Sequence, residues 1–112
     1  MHFLKRGLNI NARDKTGLTT LHYAARGAAD ETIPLLLSEG SNANAQDDDG
    51  NTPLHIIFFS DEFRPDIEFQ TFKALVDGGA DKTIKNKKDK TPYDLAKKYQ
   101  YPAEYLELLA VP

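Results

Sequence analysis

The feature that most constrains the fold of this chain is a short motif that returns at nearly regular intervals. Residues 19–22 read Thr-Thr-Leu-His, residues 52–55 read Thr-Pro-Leu-His, and the two segments lie 33 residues apart. A third version, Thr-Pro-Tyr-Asp at 91–94, follows 39 residues later. Self-similarity at this period is typical of stacked arrays, in which each unit buries its apolar face on the next one. The pattern therefore predicts an extended binding surface.

Three glycines measure the same register independently. Gly7, Gly40 and Gly79 each follow an apolar run and keep the spacings of 33 and 39 residues. Both measures lengthen by six residues in the same unit, which places an insertion between His55 and Gly79. Outside this insertion the register does not change.

Each motif also has the composition of a helix start. Threonine is a good N-cap, and proline suits the first helical position, where its missing N–H would have no intrahelical partner. We expect first helices over 19–26, 52–60 and 91–99, and returning second helices over 31–38, 67–77 and 103–109. The apolar seam between units is expected to contain Leu21, Leu35, Leu36, Leu54, Ile57, Leu75 and Leu95.

Together these segments resemble the ankyrin-repeat family. The resemblance rests on the three threonine motifs and on a Gly-x-x-x-Asn element at 7–11 and 40–44. It implies an all-α repeat solenoid, an ankyrin array of antiparallel helix pairs with projecting hairpin loops. About three full repeats and an N-terminal half repeat are expected.

Four positions depart from the family pattern or from regular helix chemistry. Thr20 stands where proline is usual, Asp94 replaces the histidine, and Asp89 replaces the glycine seen at Gly50. Pro34 lies near the fourth position of its predicted helix and is expected to cost one backbone hydrogen bond there. These departures weaken the local motifs but leave the repeat register unchanged.

The register predicts a single domain over residues 1–112. It divides into a half repeat (1–14), a full repeat (15–47), a repeat with the six-residue insertion (48–86) and a C-terminal capping repeat (87–112). Because the first segment matches only the rear half of a unit, we hypothesise that the chain was cut from a longer protein or starts with a degenerate cap.

Composition and motifs argue against catalysis and against a cofactor. The chain has no cysteine, which excludes disulfides and thiol chemistry, and it has no nucleophile elbow, phosphate-binding glycine loop or H-E-x-x-H helix. The acidic run at 47–49 lacks the ligand alternation of a calcium loop and favours a solvated loop tip. In the family, residues placed like His22 and His55 bond to the threonine turn, whereas His2 is expected at the surface. No metal site is predicted.

The resemblance implies that a partner is bound through the hairpin tips and the exposed ends of the first helices. Those positions are Lys15, Thr16, Leu18, Arg26, Asp48, Asp49, Asn51, Phe59, Lys87, Lys88, Lys90 and Lys98. For each of them the alternative is a surface residue that only improves solubility. Charges at the rim of an interface tune encounter rate and specificity more than affinity.

The insertion concentrates aromatic residues. Five of the six phenylalanines lie between Phe58 and Phe72, among acidic residues. One interpretation is that these rings cover an enlarged joint between helices. The other is that Phe59 or Phe63 is an exposed anchor for a partner, since aromatic side chains with a polar rim are frequent hot spots.

The sequence thus predicts a cytoplasmic, non-enzymatic module that binds a protein or peptide of unspecified identity. Nucleic acid is a less favoured partner because aspartates interrupt the seven lysines between Lys82 and Lys98. No apolar segment is long enough for membrane insertion. A monomer is expected, with weak self-association as an alternative. A second hypothesis is the targeting segment of a larger enzyme, or of a bacterial effector acting on host proteins in the host cytosol.

Overall fold

A computed structural model describes residues 9–59 and 65–110, with side chains given from residue 68 onward in the second range. Helices account for all regular structure within these ranges, which contain no β-strand. In chain order they are α1 (Thr20–Arg26), α2 (Thr32–Ser38), α3 (Pro53–Ile56), a 3-10 turn (Ile57–Phe59), α4 (Pro65–Asp77), α5 (Pro92–Lys98) and α6 (Ala103–Leu109). The predicted all-α array is confirmed.

The first helices start where the threonine motif predicts. Thr19, Thr52 and Thr91 are the N-caps of α1, α3 and α5, and each has an extended backbone. In the last unit the Asp94 carboxylate accepts from the Thr91 N–H at 3.0 Å, and the Asp94 N–H donates to the Thr91 hydroxyl at 3.2 Å. Asp94 therefore keeps the reciprocal cap, although it departs from the family's histidine.

Two helix boundaries differ from the prediction by two residues or more. The helix expected over 52–60 ends at Ile56 and continues as the 3-10 turn, while Ser60 lies outside the described residues. Helix α4 starts at Pro65, two residues before the expected start, because proline suits a first helical position. Pro34 is the third residue of α2. The Ile33 N–H just before it donates to the Ala29 carbonyl at 3.2 Å, and Pro34 has no N–H to make the next bond of this series, in agreement with the predicted loss of a hydrogen bond.

The helices form two rows that share one core. In the first row α1 packs on α3 and α3 packs on α5, whereas α2 packs on α4 in the second row. Leu21, Leu36, Leu54 and Leu75 are fully or almost fully buried between the rows. The prediction that Leu35 joins this seam is wrong. Its side chain is 55% exposed, because Leu36, the next residue along α2, faces the core instead.

Aromatic rings close the joint between the inserted repeat and the last one. The Phe58 ring centroid lies 4.9 Å from those of Phe72 and Tyr101, and Tyr105 lies 4.9 Å from Tyr101. The Tyr101 hydroxyl donates to the buried Glu68 carboxylate at 2.8 Å. The two Tyr101 pairs are edge-on and the Phe58–Phe72 pair is tilted. Edge-on ring pairs at these distances stabilise beyond the area that they bury. This packing agrees with the interpretation in which the phenylalanines cover an enlarged joint.

Four helices end in a turn with one residue of positive φ. After α2, the Ser41 N–H donates to the Leu36 carbonyl at 2.9 Å and Gly40 has a φ of 100°. After α5 the same turn places Gln100 at a φ of 58°. A non-glycine residue in this left-handed region is strained, so Gln100 costs stability at a position that favours glycine.

Replacing Gln100 with glycine is therefore expected to stabilise the chain by about 0.5–1 kcal/mol and to raise the melting temperature by a few degrees. Thermal unfolding followed by circular dichroism measures the change. The control is Gln100→Ala, which removes the side chain but keeps the Cβ that causes the strain. Equal melting temperatures for the glycine and alanine variants would contradict the backbone explanation.

Candidate protein-binding surface

Each repeat presents a hairpin loop. The side chain of the first residue in each loop bonds to backbone N–H groups of the same loop. Loop 1 (14–18), loop 2 (47–51) and loop 3 (86–90) each have a backbone hydrogen bond of 2.9 Å from the N–H of the first residue to the carbonyl of the last. In loop 2 the Asp47 carboxylate also accepts from the N–H groups of Asp49 and Asn51, at 2.9 and 2.8 Å. Asp14 and Asn86 do the same in their loops. The polar residue of each loop thus fixes its shape.

The carboxylate of loop 1 is also held by a tyrosine of α1. The Tyr23 hydroxyl donates to Asp14, and this bond is the main reason why the pKa of Asp14 falls to about 2. The N–H groups of Thr16 and Leu18 act in the same direction because they favour the charged form. Asp14 therefore stays ionised at any physiological pH.

The three loops are joined into one continuous edge. The Asp48 N–H donates to the Thr16 carbonyl at 2.9 Å, and the Lys87 N–H donates to the Asp49 carbonyl at 3.0 Å. The Asn86 amide adds a bond of 2.9 Å to the Asn51 side chain. Because every loop is tied to the next, the edge is organised before any ligand arrives.

Two buried histidines tie the first helices to this edge. In His22, Nδ1 accepts from the Thr19 N–H at 3.1 Å, and Nε2 lies 2.8 Å from the Asn51 carbonyl of the next repeat. Since a carbonyl can only accept, Nε2 carries the proton and the ring is neutral. His55 repeats the arrangement with Thr52 and the Lys90 carbonyl at 3.1 and 2.8 Å. Each ring therefore couples one repeat to the following one.

Burial lowers the pKa of both histidines. Desolvation is the largest contribution for His22 and for His55, and it outweighs the backbone carbonyls of Asn51 and Lys90, which favour the charged ring. The structural role expected for these residues agrees with this geometry. Among the described residues no group of three or more metal-ligating side chains is present.

A groove lies between loops 2 and 3 on one side and the end of α3 on the other. We call it the tip groove; its volume is about 310 Å³ and its lining residues are Asp47, Asp49, Asn51, Ile56, Phe59, Asn86, Lys87 and Lys88. Ile56 and Phe59 supply its apolar surface, and the loop residues supply its polar wall. Apolar surface beside a few placed polar groups is the usual make-up of a binding site.

A larger depression of about 480 Å³ lies on the second helices, between α2 and α4. Its lysine, Lys73, already pairs with Asp77 at 2.9 Å within α4. Leu37 and Gly78 line it where the two helices meet, so it is a seam between packed helices. The tip groove is the better candidate for a binding site, because it combines charged residues of the loop edge with the exposed Phe59 side chain.

The structure places most of the predicted contact residues along the loop edge. Exposed members are Lys15, Thr16, Asp48, Asp49, Phe59, Lys87, Lys88, Lys90 and Lys98, while Leu18 and Arg26 are half-buried. Asn51 differs from the exposed tip position predicted for it, because it is only 6% exposed and its groups bond to Asp47, Asn86 and His22. Phe63 lies outside the described residues.

Sequence reasoning missed three residues of this surface. Ile56 lines the tip groove, and Tyr23, its counterpart 33 residues earlier, is 50% exposed on α1. Tyr99 is 39% exposed and meets the Phe59 ring edge-on at 6.5 Å. The repeat register contained the signal for the first two, since they occupy one position on the first helices.

The comparison with known families agrees with this architecture. A family model described as ankyrin repeats in three copies matches residues 1–86. This match covers more than half of the chain, which therefore belongs to the ankyrin-repeat family. Ankyrin repeats are generally protein–protein interaction modules and typically lack catalysis. No curated protein matches the sequence significantly.

The family match stops before the last predicted repeat, but the helix pair continues beyond it. Helices α5 and α6 pack on each other, and α5 starts with the same threonine cap as α1. The boundaries predicted for the individual repeats stay predictions. In the part of the chain that the structure describes, every helix is too short or too polar to cross a membrane.

Proposed function

We propose that this chain is a non-enzymatic recognition module that binds a protein or peptide through its hairpin loops and the adjoining face of the first helices. The tip groove is the observation that carries the proposal, because it joins the exposed Phe59 side chain to charged loop tips. Loops held on a rigid scaffold are frequent binding elements. No described feature favours the alternative of a targeting segment for an enzyme, which stays a prediction.

The loop edge suits recognition because its order does not depend on a partner. Bonds of 2.9–3.0 Å link neighbouring loops, and the histidines link the loops to buried helices. Binding to such an edge loses little conformational freedom. The exposed side chains that vary between the loops, such as Lys15, Asp48 and Lys88, can then determine which partner is accepted.

Site-specific photo-cross-linking in lysate of the source cells tests the proposal. A photoreactive amino acid at Asp48 or Lys88 is expected to capture one defined partner in high yield, because both positions lie on the exposed loop edge. The same group at Leu35 or Lys73, which are exposed on the second helices, is the control and should capture that partner poorly. Equal yields at all four positions, or capture from the second helices alone, would contradict the proposed surface.

A further inference from the structure

We infer that the tip groove accepts a short acidic peptide segment in which one aromatic or large aliphatic side chain is the anchor. The anchor rests on Ile56 and Phe59, and carboxylates on one side of it reach Lys87 and Lys88. This inference rests on the proposed function and specifies the chemistry of the partner.

The apolar part of the groove suits a single anchoring side chain. Its volume of about 310 Å³ is at the lower end of the range for ligand pockets, which is too small for a folded element. Phe59 is 38% exposed, and its ring meets the equally exposed Tyr99. Phe58, the preceding residue, is buried in the aromatic joint and holds this segment in place. An aromatic or aliphatic side chain would cover apolar surface that now faces water.

The charges around the groove favour carboxylates beside loop 3. Lys87 and Lys88 are exposed, and among the described residues neither ammonium group forms an ion pair, whereas Lys85 pairs with Asp89 at 3.5 Å. Residues 81–112 contain seven basic and five acidic side chains, so the surrounding sequence adds to this positive field. Complementary charge at an interface accelerates association and selects partners.

Loop 2, which is bonded to loop 3 on the same side of the groove, restricts where those carboxylates can lie. Asp49 is exposed there, while the Asp47 carboxylate is already bonded within loop 2. Acidic residues on the Asp49 side of the anchor would be repelled. The groove therefore favours a peptide whose acidic residues cluster on one side of the anchor. A polyanion without such polarity, such as nucleic acid, fits less well because the whole chain has a net charge of −3.

A random library of twelve-residue peptides displayed on phage, selected against the full chain, tests this chemistry. We expect the enriched peptides to share one aromatic or large aliphatic residue followed or preceded by acidic residues on one side only. Fluorescence anisotropy with the labelled consensus peptide then measures affinity. Raising sodium chloride from 0.1 to 0.5 M should weaken binding, because the contacts to lysine are screened.

Two variants locate the peptide, and each has a matched control. Phe59→Ala and the double charge reversal K87E/K88E are each expected to weaken binding by about tenfold or more. Leu35→Ala removes an apolar side chain that is more exposed than Phe59 and lies elsewhere, and K73E/K97E makes the same change in net charge outside the groove. Both controls should stay within about twofold of the parent affinity. Circular dichroism melting confirms that every variant is folded.

Several outcomes would overturn the inference while leaving the proposed function intact. Enriched peptides without an acidic excess, or an affinity insensitive to Phe59→Ala and K87E/K88E, would exclude this occupant. If a labelled single-stranded oligonucleotide binds more tightly than the peptide, through the same lysines, then the occupant of the groove is nucleic acid and the inferred peptide is excluded. If no peptide is enriched but Asp48 and Lys88 still cross-link to a partner, the loop edge binds a folded surface instead.

Discussion

Replacing Gly50 with alanine is expected to destabilise the chain by about 2–4 kcal/mol, because two separate costs add at this position. Gly50 has a φ of 79°, which strains any residue with a Cβ. A Cβ built there would also lie 2.9 Å from the backbone nitrogen of Lys87 and 3.1 Å from the Cα of Asn86. Relief of that contact would push loop 3 away from loop 2 and weaken their hydrogen bond.

Gly40→Ala is the matched control for this prediction. Its φ of 100° carries the same kind of strain, but a Cβ there meets no atom within 4 Å. Only the backbone cost of about 1–2 kcal/mol is expected. Urea unfolding of both variants measures the two free energies, and their difference reports the contact between loops. A loss at Gly50 no greater than that at Gly40 would show that the loops are not tightly stacked.

Acidification from pH 7.5 to pH 5 is expected to destabilise the chain through His22 and His55. Both rings are neutral in the fold and their pKa values are lowered by burial, so the unfolded chain binds protons more readily. Their contribution is fully present above the ordinary pKa of about 6.5 and is lost as the pH falls below it. Each histidine contributes a slope of at most about 1.4 kcal/mol per pH unit, and the two together at most about 2.7.

Denaturant unfolding as a function of pH, compared with the double variant H22Q/H55Q, measures this effect. Glutamine can donate to the Asn51 and Lys90 carbonyls but does not titrate, so the variant should lose most of the pH dependence between 5 and 6.5. His2→Gln, which removes the remaining histidine, is the control and is expected to keep the parental slope. A parental slope in H22Q/H55Q would assign the pH dependence to other groups.

Protonation has a structural meaning at these positions. A proton on His55 Nδ1 would face the Thr52 N–H, which now donates to that atom at 3.1 Å. The same conflict would arise between His22 and Thr19. Because each ring also bonds to the carbonyl of the following repeat, loss of the neutral ring disturbs the cap of one repeat and its link to the next.

Features that depend on near neighbours in the chain were predictable from the sequence. The threonine motif located the N-caps of α1, α3 and α5, and Gly40 and Gly79 located the ends of α2 and α4. These elements rest on hydrogen bonds between residues a few positions apart, whose donors and acceptors can be read from local composition. The repeat register then aligned them across the units.

Some apparent irregularities become explicable only with the neighbouring repeat in place. Asp89 occupies the position of Gly50 with a φ of 64°, and among the described residues no further loop stacks against it. A Cβ is therefore tolerated at Asp89, although the same atom would strike loop 3 at Gly50. Likewise Asp94 keeps the helix cap of His55, but its shorter side chain forms no bond to a following repeat in this part of the chain.

The sequence by itself determined the period, the helix starts and ends, and the family to which the chain belongs, because these follow from local hydrogen-bonding chemistry repeated at fixed spacing. Only the tertiary structure decided that Leu35 is exposed, that Asn51 is buried, and that Phe59 faces a groove while Phe58 enters the core. Burial depends on which neighbouring unit covers a side chain; Asn51, for example, bonds to His22 and Asn86, which lie 29 and 35 residues away. Spacing along the chain cannot specify which of two adjacent apolar residues the neighbouring unit covers.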